Sequence, residues 1–216
     1  MPLLCLRSVM ICGTRNTLSH RFSPFNHTCM IRDMFAKLLH LYNFIDQTMV
    51  MLTAGFPREV TCRKGCADCC NAVFDLSFIE ASYLLHMFRD VPPATRTVIL
   101  DRCRRAEKQW QKIFRDHADP SLARIRCPLL NDGGECSCYH ARPINCRTYG
   151  VPTIIDGAAH VCGLSGFSKG ISYPSIDLAP LQKSLSEYSI ETAGADSGRK
   201  RWSIAVVLLH PEQLAV

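Results

Sequence analysis

The chain is predicted to be a mainly α, single-domain protein with a small cysteine-rich insert of irregular or β-hairpin structure. Three observations lead there. Long stretches repeat their apolar residues at helical spacing, and proline and glycine fall at the ends of those stretches. The segment that loses the helical period carries many of the cysteines. The 216 residues suffice for one domain with a proper core and are few for two.

From Asp33 to Met51, apolar residues fall at Phe35, Leu38, Leu39, Leu41, Tyr42, Ile45, Met49 and Val50, a helical period closed by Gly55 and Pro57. Ser77 and Glu80 form a capping-box pair ahead of Ile79, Leu84, Leu85 and Phe88, a second helix that stops before Pro92. Pro92 and Pro93 suit the first turn of a third. Val98, Ile99, Cys103, Ala106, Trp110, Ile113 and Phe114 carry that helix to about His117. Leu129-Leu130, the turn Asn131-Asp132-Gly133-Gly134, and Cys136 to Tyr139 then read as a short hairpin. Arg142-Pro143 can start a short helix through Tyr149, stopped by Gly150 and Pro152. Leu178 to Ile190 is helical again. Ile204 to Leu209 suits either a buried strand or a short helix, between which periodicity cannot choose at that length.

The composition is that of an ordinary globule: 47% hydrophobic, 20% charged, mean hydropathy +0.02. That excludes a collagen-like or disordered chain. No apolar run approaches the roughly 18 residues of a membrane span, so no membrane partner is expected. The formal charge of +6 counts every thiol as neutral. Thiolates on divalent ions would shrink it, so it points to no clear nucleic-acid partner. Arg63, Lys64, Arg126, Arg142 and Arg147 all lie beside cysteines, where they can offset an anionic cluster or simply be solvated. Residues 1–33 read as a poorly packed N-terminal extension, as an overlong start would add, with Cys5, Cys12 and Cys29 of little functional weight; the metal-binding domain is 34–216. No basic segment precedes the apolar stretch Pro2 to Cys12, so no export signal is read. The expected location is the cytoplasm, where clustered thiols bind metal more often than they form disulfides.

The 13 cysteines decide the functional reading. Nine fall in two windows: Cys62, Cys66, Cys69 and Cys70, then Cys127, Cys136, Cys138, Cys146 and Cys162. A metal held by sulfur needs one close-spaced cluster plus distant ligands delivered by the fold. Gly65 permits the sharp backbone such a cluster requires. If Cys66 to Cys70 enter a helix, Cys66 shares a face with Cys69 and Cys70, but those neighbours point about 100° apart. Two metals or one polynuclear cluster then explains the adjacency better than a single zinc. Cys127-Pro128 matches the Cys-Pro step that closes ferredoxin-type loops. Cys136 on the return strand and Cys146 on the following helix can face the first window. Cys103 lies on an apolar stripe and belongs to the core. Cys138 should project from the same strand face as Cys136, and its role stays open. His140 and His160 are near enough in sequence to be ligands, which the nearby thiols make unnecessary.

These residues resemble a known group. Cys62-x3-Cys66-x2-Cys69-Cys70, Cys127-Pro128-Leu129-Leu130 and Cys136-x2-Tyr139-x2-Arg142-Pro143-x2-Cys146-Arg147 are similar to the YkgJ-type cysteine-cluster family. That family is described as a zinc- or iron-chelating domain of small bacterial proteins and, in a longer form, includes flagellin lysine-N-methylase. The likeness covers roughly residues 58–165 and implies Cys62, Cys66, Cys69, Cys70, Cys127, Cys136, Cys146 and Cys162 as ligands. Cys138 stands where the family usually has an aliphatic residue and Gly150 where it often has proline. The expected function is chelation of zinc or iron, the latter also as an iron–sulfur cluster, for structural, redox or metal-handling use. A methyltransferase like the flagellin enzyme is the alternative, although no glycine-rich strand-to-helix turn for a nucleoside cofactor is visible. The Cys62-x3-Cys66-x2-Cys69 spacing also matches radical S-adenosylmethionine enzymes. Asp68 replaces their usual aromatic residue, and the helix-after-helix pattern of 77–118 contradicts their barrel. No catalytic residue and no protein partner is assigned.

Overall fold

A computed structural model describes the backbone of residues 24–117, 119 and 123–214, with side chains from Met34 onward. Cys5, Cys12 and most of the expected extension lie outside the described residues. The architecture is mainly helical. Helix α1 (Pro24–Gly55) begins before the Asp33 expected from its apolar period. It buries Phe35, Leu38, Leu41, Tyr42 and Ile45, while Leu39 and Val50 face outward.

Helix α2 (Phe78–Phe88) lies between two apolar clusters. Ile79 joins α1 and helix α5 (Leu178–Gly198), whereas Phe78, Ala81, Leu84 and Phe88 join helix α3 (Pro93–Arg115) and helix α6 (Ile204–Leu209). Ile99, Cys103 and Ala106 form the inner face of α3, with Cys103 in the core as expected. Val98 and Phe114 at its ends are exposed instead. The Ile204 to Leu209 alternative resolves as a helix, because Ser203 Oγ accepts the Val206 amide at 3.2 Å and caps it. Helix α5 outruns its expected end and is interrupted at Gly194, whose φ of 74° breaks the helical path.

Strand content is small. β1 (Asp75–Leu76) pairs antiparallel with β5 (Trp202–Ser203), tying the start of α2 to the start of α6. β2 (Thr153–Ile155) is flanked by antiparallel β3 (Ala158–His160) and parallel β4 (Ile176–Asp177), pairings that periodicity did not suggest. The expected hairpin shrinks to one bridge, Leu130 with Cys136. Asn131 closes its turn by accepting the Glu135 amide on its side chain at 2.8 Å. The chain then winds into a 3-10 turn, Tyr139–Ala141, that buries Cys138 and Ala141. Helix α4 (Ile144–Arg147) follows and ends before Tyr149.

One buried carboxylate joins these pieces. Glu80 is 2% exposed. Its Oε2 accepts the Ser77 amide at 3.1 Å and the Ser77 hydroxyl at 2.9 Å, and its Oε1 accepts the Ile144 amide at 2.8 Å. The same side chain therefore starts α2 and holds the first residue of α4. Ser189 of α5 completes the junction: its Oγ accepts the Ile79 amide at 3.2 Å and donates to the Leu185 carbonyl at 2.6 Å. Glu80→Ala leaves the Ser77 and Ile144 amides without their acceptor. It should lower stability by roughly 2–5 kcal/mol in urea unfolding. Glu135→Ala, at an exposed carboxylate, should change it by less than about 0.5 kcal/mol.

Candidate metal centre

The first cysteine window is a run of tight turns. The Cys66 amide donates to Arg63 O at 2.9 Å, Cys70 to Ala67 O at 3.1 Å, and Asn71 to Asp68 O at 2.9 Å. Each is an i to i+3 bond, so Cys66 to Cys70 do not enter a helix and the splay of about 100° does not apply. Gly65, at φ 90°, supplies the left-handed residue the first turn needs. The neighbouring Cys70 is instead the largest influence on the Cys69 thiol, which it raises.

The second window lies against the first. Cys127 donates its amide to Cys70 O at 2.6 Å, Ile125 donates to Asn71 O at 3.1 Å, and Ala72 bridges Arg124. A Cβ on Gly134 would stand 3.7 Å from Gly65 Cα, so the glycine turns of the two windows touch. The Lys64–Glu135 ion pair, at 2.6 Å, spans the same junction. Sulfur-bearing segments remote in sequence thus share one region of the fold.

The eight expected ligands divide into an inner and an outer set. Five of them, Cys69, Cys70, Cys127, Cys136 and Cys146, line a cavity of about 60 Å³, as does Cys138. Phe74 and Trp110 close part of its apolar wall. Cys62, Cys66 and Cys162 do not line it. Burial and, after it, the charge of Cys66 raise the Cys62 thiol, and Cys162 Sγ is 3.6 Å from Asp68 Oδ2. Cys69 acts electrostatically on Cys62 as well as on Cys136 and Cys146, and so stands between the sets. Among the described residues, no group of three or more His, Cys, Asp and Glu side chains is already drawn together around an ion-sized point. Cys103 lies in the core outside the cavity, His160 is exposed on β3, and His140 lines a separate shallow depression.

Burial is the largest influence on three of the inner thiols, Cys127, Cys136 and Cys146. It pushes Cys127 up to about 12 and raises Cys146 and Cys136. For Cys69 the neighbouring Cys70 raises it further than burial does. Backbone amides oppose this. Leu129 and Leu130 donate to the Cys127 sulfur, Cys138 to the Cys136 sulfur, and Leu164 to Cys162 Sγ at 3.4 Å. Such bonds favour the thiolate over the thiol. Cys138 therefore contributes its backbone to the neighbouring sulfur while its own side chain packs in the core.

The two arginines of the second window differ. Arg142 lies 3.7 Å over the Tyr139 ring, donates Nε to Tyr139 O at 3.1 Å, and favours ionisation of Cys69, Cys136 and Cys146 through its charge. Arg147 is buried and binds no sulfur. It donates to the carbonyls of Arg142 at 2.8 Å and His140 at 2.5 Å and to Asp46 of α1 at 2.6 Å. Its role is to fold the 140–147 turn and dock it on α1.

Sequence reasoning passed over Asp68, Tyr149 and Arg124. Asp68 Oδ2 accepts the Tyr149 hydroxyl at 2.7 Å, and Oδ1 accepts from Arg124 at 2.5 Å. The Arg124 and Tyr149 bonds hold its carboxyl below the usual range. The available signal was an acidic residue inside the cysteine window; its partners are remote in sequence. No family model, no curated protein and no solved structure matches the chain. Among the described residues, no helix is long and apolar enough to cross a membrane.

Arg142→Gln removes the cation facing the inner thiols. Alkylation of Cys69 and Cys136 in metal-free protein at fixed pH, followed by mass spectrometry, should slow by roughly two- to tenfold. Arg147→Gln should instead act on unfolding midpoints.

Proposed function

We propose that this protein binds zinc or iron through the thiolates of its two cysteine windows, with an iron–sulfur cluster as the polynuclear form. The observation that carries the reading is the inner cavity, where cysteines from both windows line one space of about 60 Å³. A water needs roughly 10–15 Å³ of such volume, so the space exceeds what one water fills. Thiolate donors suit zinc, ferrous iron and iron–sulfur clusters better than hard cations. The amides aimed at Cys127, Cys136 and Cys162 and the Arg142 charge support the same reading, because each favours the ionised sulfur that a metal requires. The resemblance of the motifs to the YkgJ-type chelating family agrees with it. So does the free state of all ten described cysteines, which suits the reducing cytoplasm as the proposed location.

Bound zinc would act as a structural ion and bound iron could also carry electrons. Anaerobic purification followed by elemental analysis and a visible spectrum tests the reading. Stoichiometric zinc in a colourless protein, or iron with sulfur-to-metal absorption, is the expected result. A fully folded chain that takes up neither metal overturns it. Cys127→Ser or Cys146→Ser should lower the metal content. Cys103→Ser should retain it while costing about 1–3 kcal/mol of stability, because a hydroxyl then lies in the apolar core.

The thiol shifts set the pH dependence. Burial raises the Cys127, Cys136 and Cys146 thiols, so these are protonated near neutrality and each must release its proton as metal enters. Metal titration in weak buffer should therefore acidify the solution, and apparent affinity should rise with pH. Proton release measured by a pH indicator checks both signs.

A further inference from the structure

We infer that the outward face of α3 is a docking surface for single-stranded nucleic acid, with Arg104, Lys108, Lys112 and Arg115 on its phosphates and Phe114 stacking against a base. This goes beyond the metal-binding reading and does not depend on it. The total charge of the chain gives no sign of such a partner, but the placement of that charge does.

Seven arginines and lysines fall on α3 against two acids, Asp101 and Glu107. Both acids are engaged: Asp101 pairs with Arg105, and Glu107 lies 3.5 Å from His210. Arg102 turns away to Asp132 at 2.7 Å. Arg104, Lys108, Lys112 and Arg115 are all exposed, and none of them forms an ion pair among the described residues. At 100° per residue these four fall within about 80° of one another, in a row roughly 16 Å long. Ile99, Cys103 and Ala106 occupy the opposite side of the helix and are buried.

Such a row works against its own helix. Like charges at i, i+4 are destabilising, and Arg104, Lys108 and Lys112 make two such steps. The helix dipole favours Lys112 and Arg115 in the last turn, but it gives no reason for Arg104 and Lys108. A polyanion relieves the repulsion and releases its own counterions as it binds. The aromatic pair at the end of the row selects among polyanions. Phe114 is 62% exposed and stacks on Trp110, with centroids 5.4 Å apart and planes 14° from parallel. A flat exposed ring beside a row of cations suits unpaired bases of any identity. An acidic peptide would use the cations and leave the ring idle. A bilayer would need a free apolar side on the helix, whereas that side of α3 is packed in the core with α6.

The test is fluorescence anisotropy of a labelled single-stranded oligothymidylate titrated with the full chain over a series of salt concentrations. The logarithm of the binding constant should fall against the logarithm of salt with a slope of about −3, as four phosphate contacts require. Arg104→Gln or Lys108→Gln should weaken binding and shrink that slope by roughly 0.7 each. Phe114→Leu should weaken binding about fivefold or more and leave the slope unchanged. Lys183→Gln, at an exposed lysine of α5 paired with Glu187, should change neither. All these positions are exposed, and far-UV circular dichroism confirms that each variant is folded. Failure to bind the oligonucleotide at low salt overturns the inference, as does wild-type binding by both the Arg104 and Lys108 variants. Equal affinity for a duplex of the same length, or equally effective competition by polyglutamate, overturns it too. So does capture by phosphatidylserine vesicles without capture of the oligonucleotide. Metal content, measured separately, decides the metal-binding reading whichever of these results is found.

Discussion

The arrangement depends on a carboxylate that has no access to water. Glu80 accepts the Ser77 amide and hydroxyl and the Ile144 amide, so the N-termini of α2 and α4 are fixed to each other through one side chain. Burial raises its carboxyl while those hydrogen bonds pull it down, a balance that holds only if all its partners stay in place. Because α4 carries Cys146, the position of that residue is set by the Glu80 bond to the first amide of its helix. Ser189 extends the same constraint to α5 by taking the Ile79 amide. The core is thus built so that its polar junction, rather than the cysteines themselves, delivers the second window to the first.

Around that junction the protein accepts a chemical conflict. Sulfurs are placed where burial opposes their ionisation, and the fold then supplies amides and a guanidinium that favour it. Cys103, fully buried among apolar neighbours, is likewise raised by burial and opposed by the Arg104 charge, but it lies in the core outside the cavity. Cys62 is exposed and Cys162 lies beside the polar pair Asp68 and Tyr149, whereas Arg142 is the charge that acts on the inner thiols.

Much of the helical scaffold was legible in the sequence. The Ser77 and Glu80 pair, the prolines before α3 and the inner stripe of Ile99, Cys103 and Ala106 are local signals, and local signals survive into the fold. Errors arose where a long-range partner decided. The hairpin around Gly133 and Gly134 became a single bridge because the following residues turn inward to bury Cys138. Cys66 to Cys70 became a run of i to i+3 turns, and the residues that follow, Cys70 to Ala72, pair with residues 124–127 instead of continuing a helix. The short strands β2, β3 and β4 have too few residues to show a period.

The sequence by itself determined the helices, the core placement of Cys103 and the gathering of cysteines into two windows, because periodicity, capping and spacing are properties of neighbouring residues. Tertiary structure alone decided that Cys70 and Cys127 would touch, that cysteines of both windows would line one cavity, and that Asp68 would meet Tyr149 and Cys162. Those contacts join residues tens of positions apart, and only the closing of α1, α2, α4 and α5 around a shared core brings them within bonding distance.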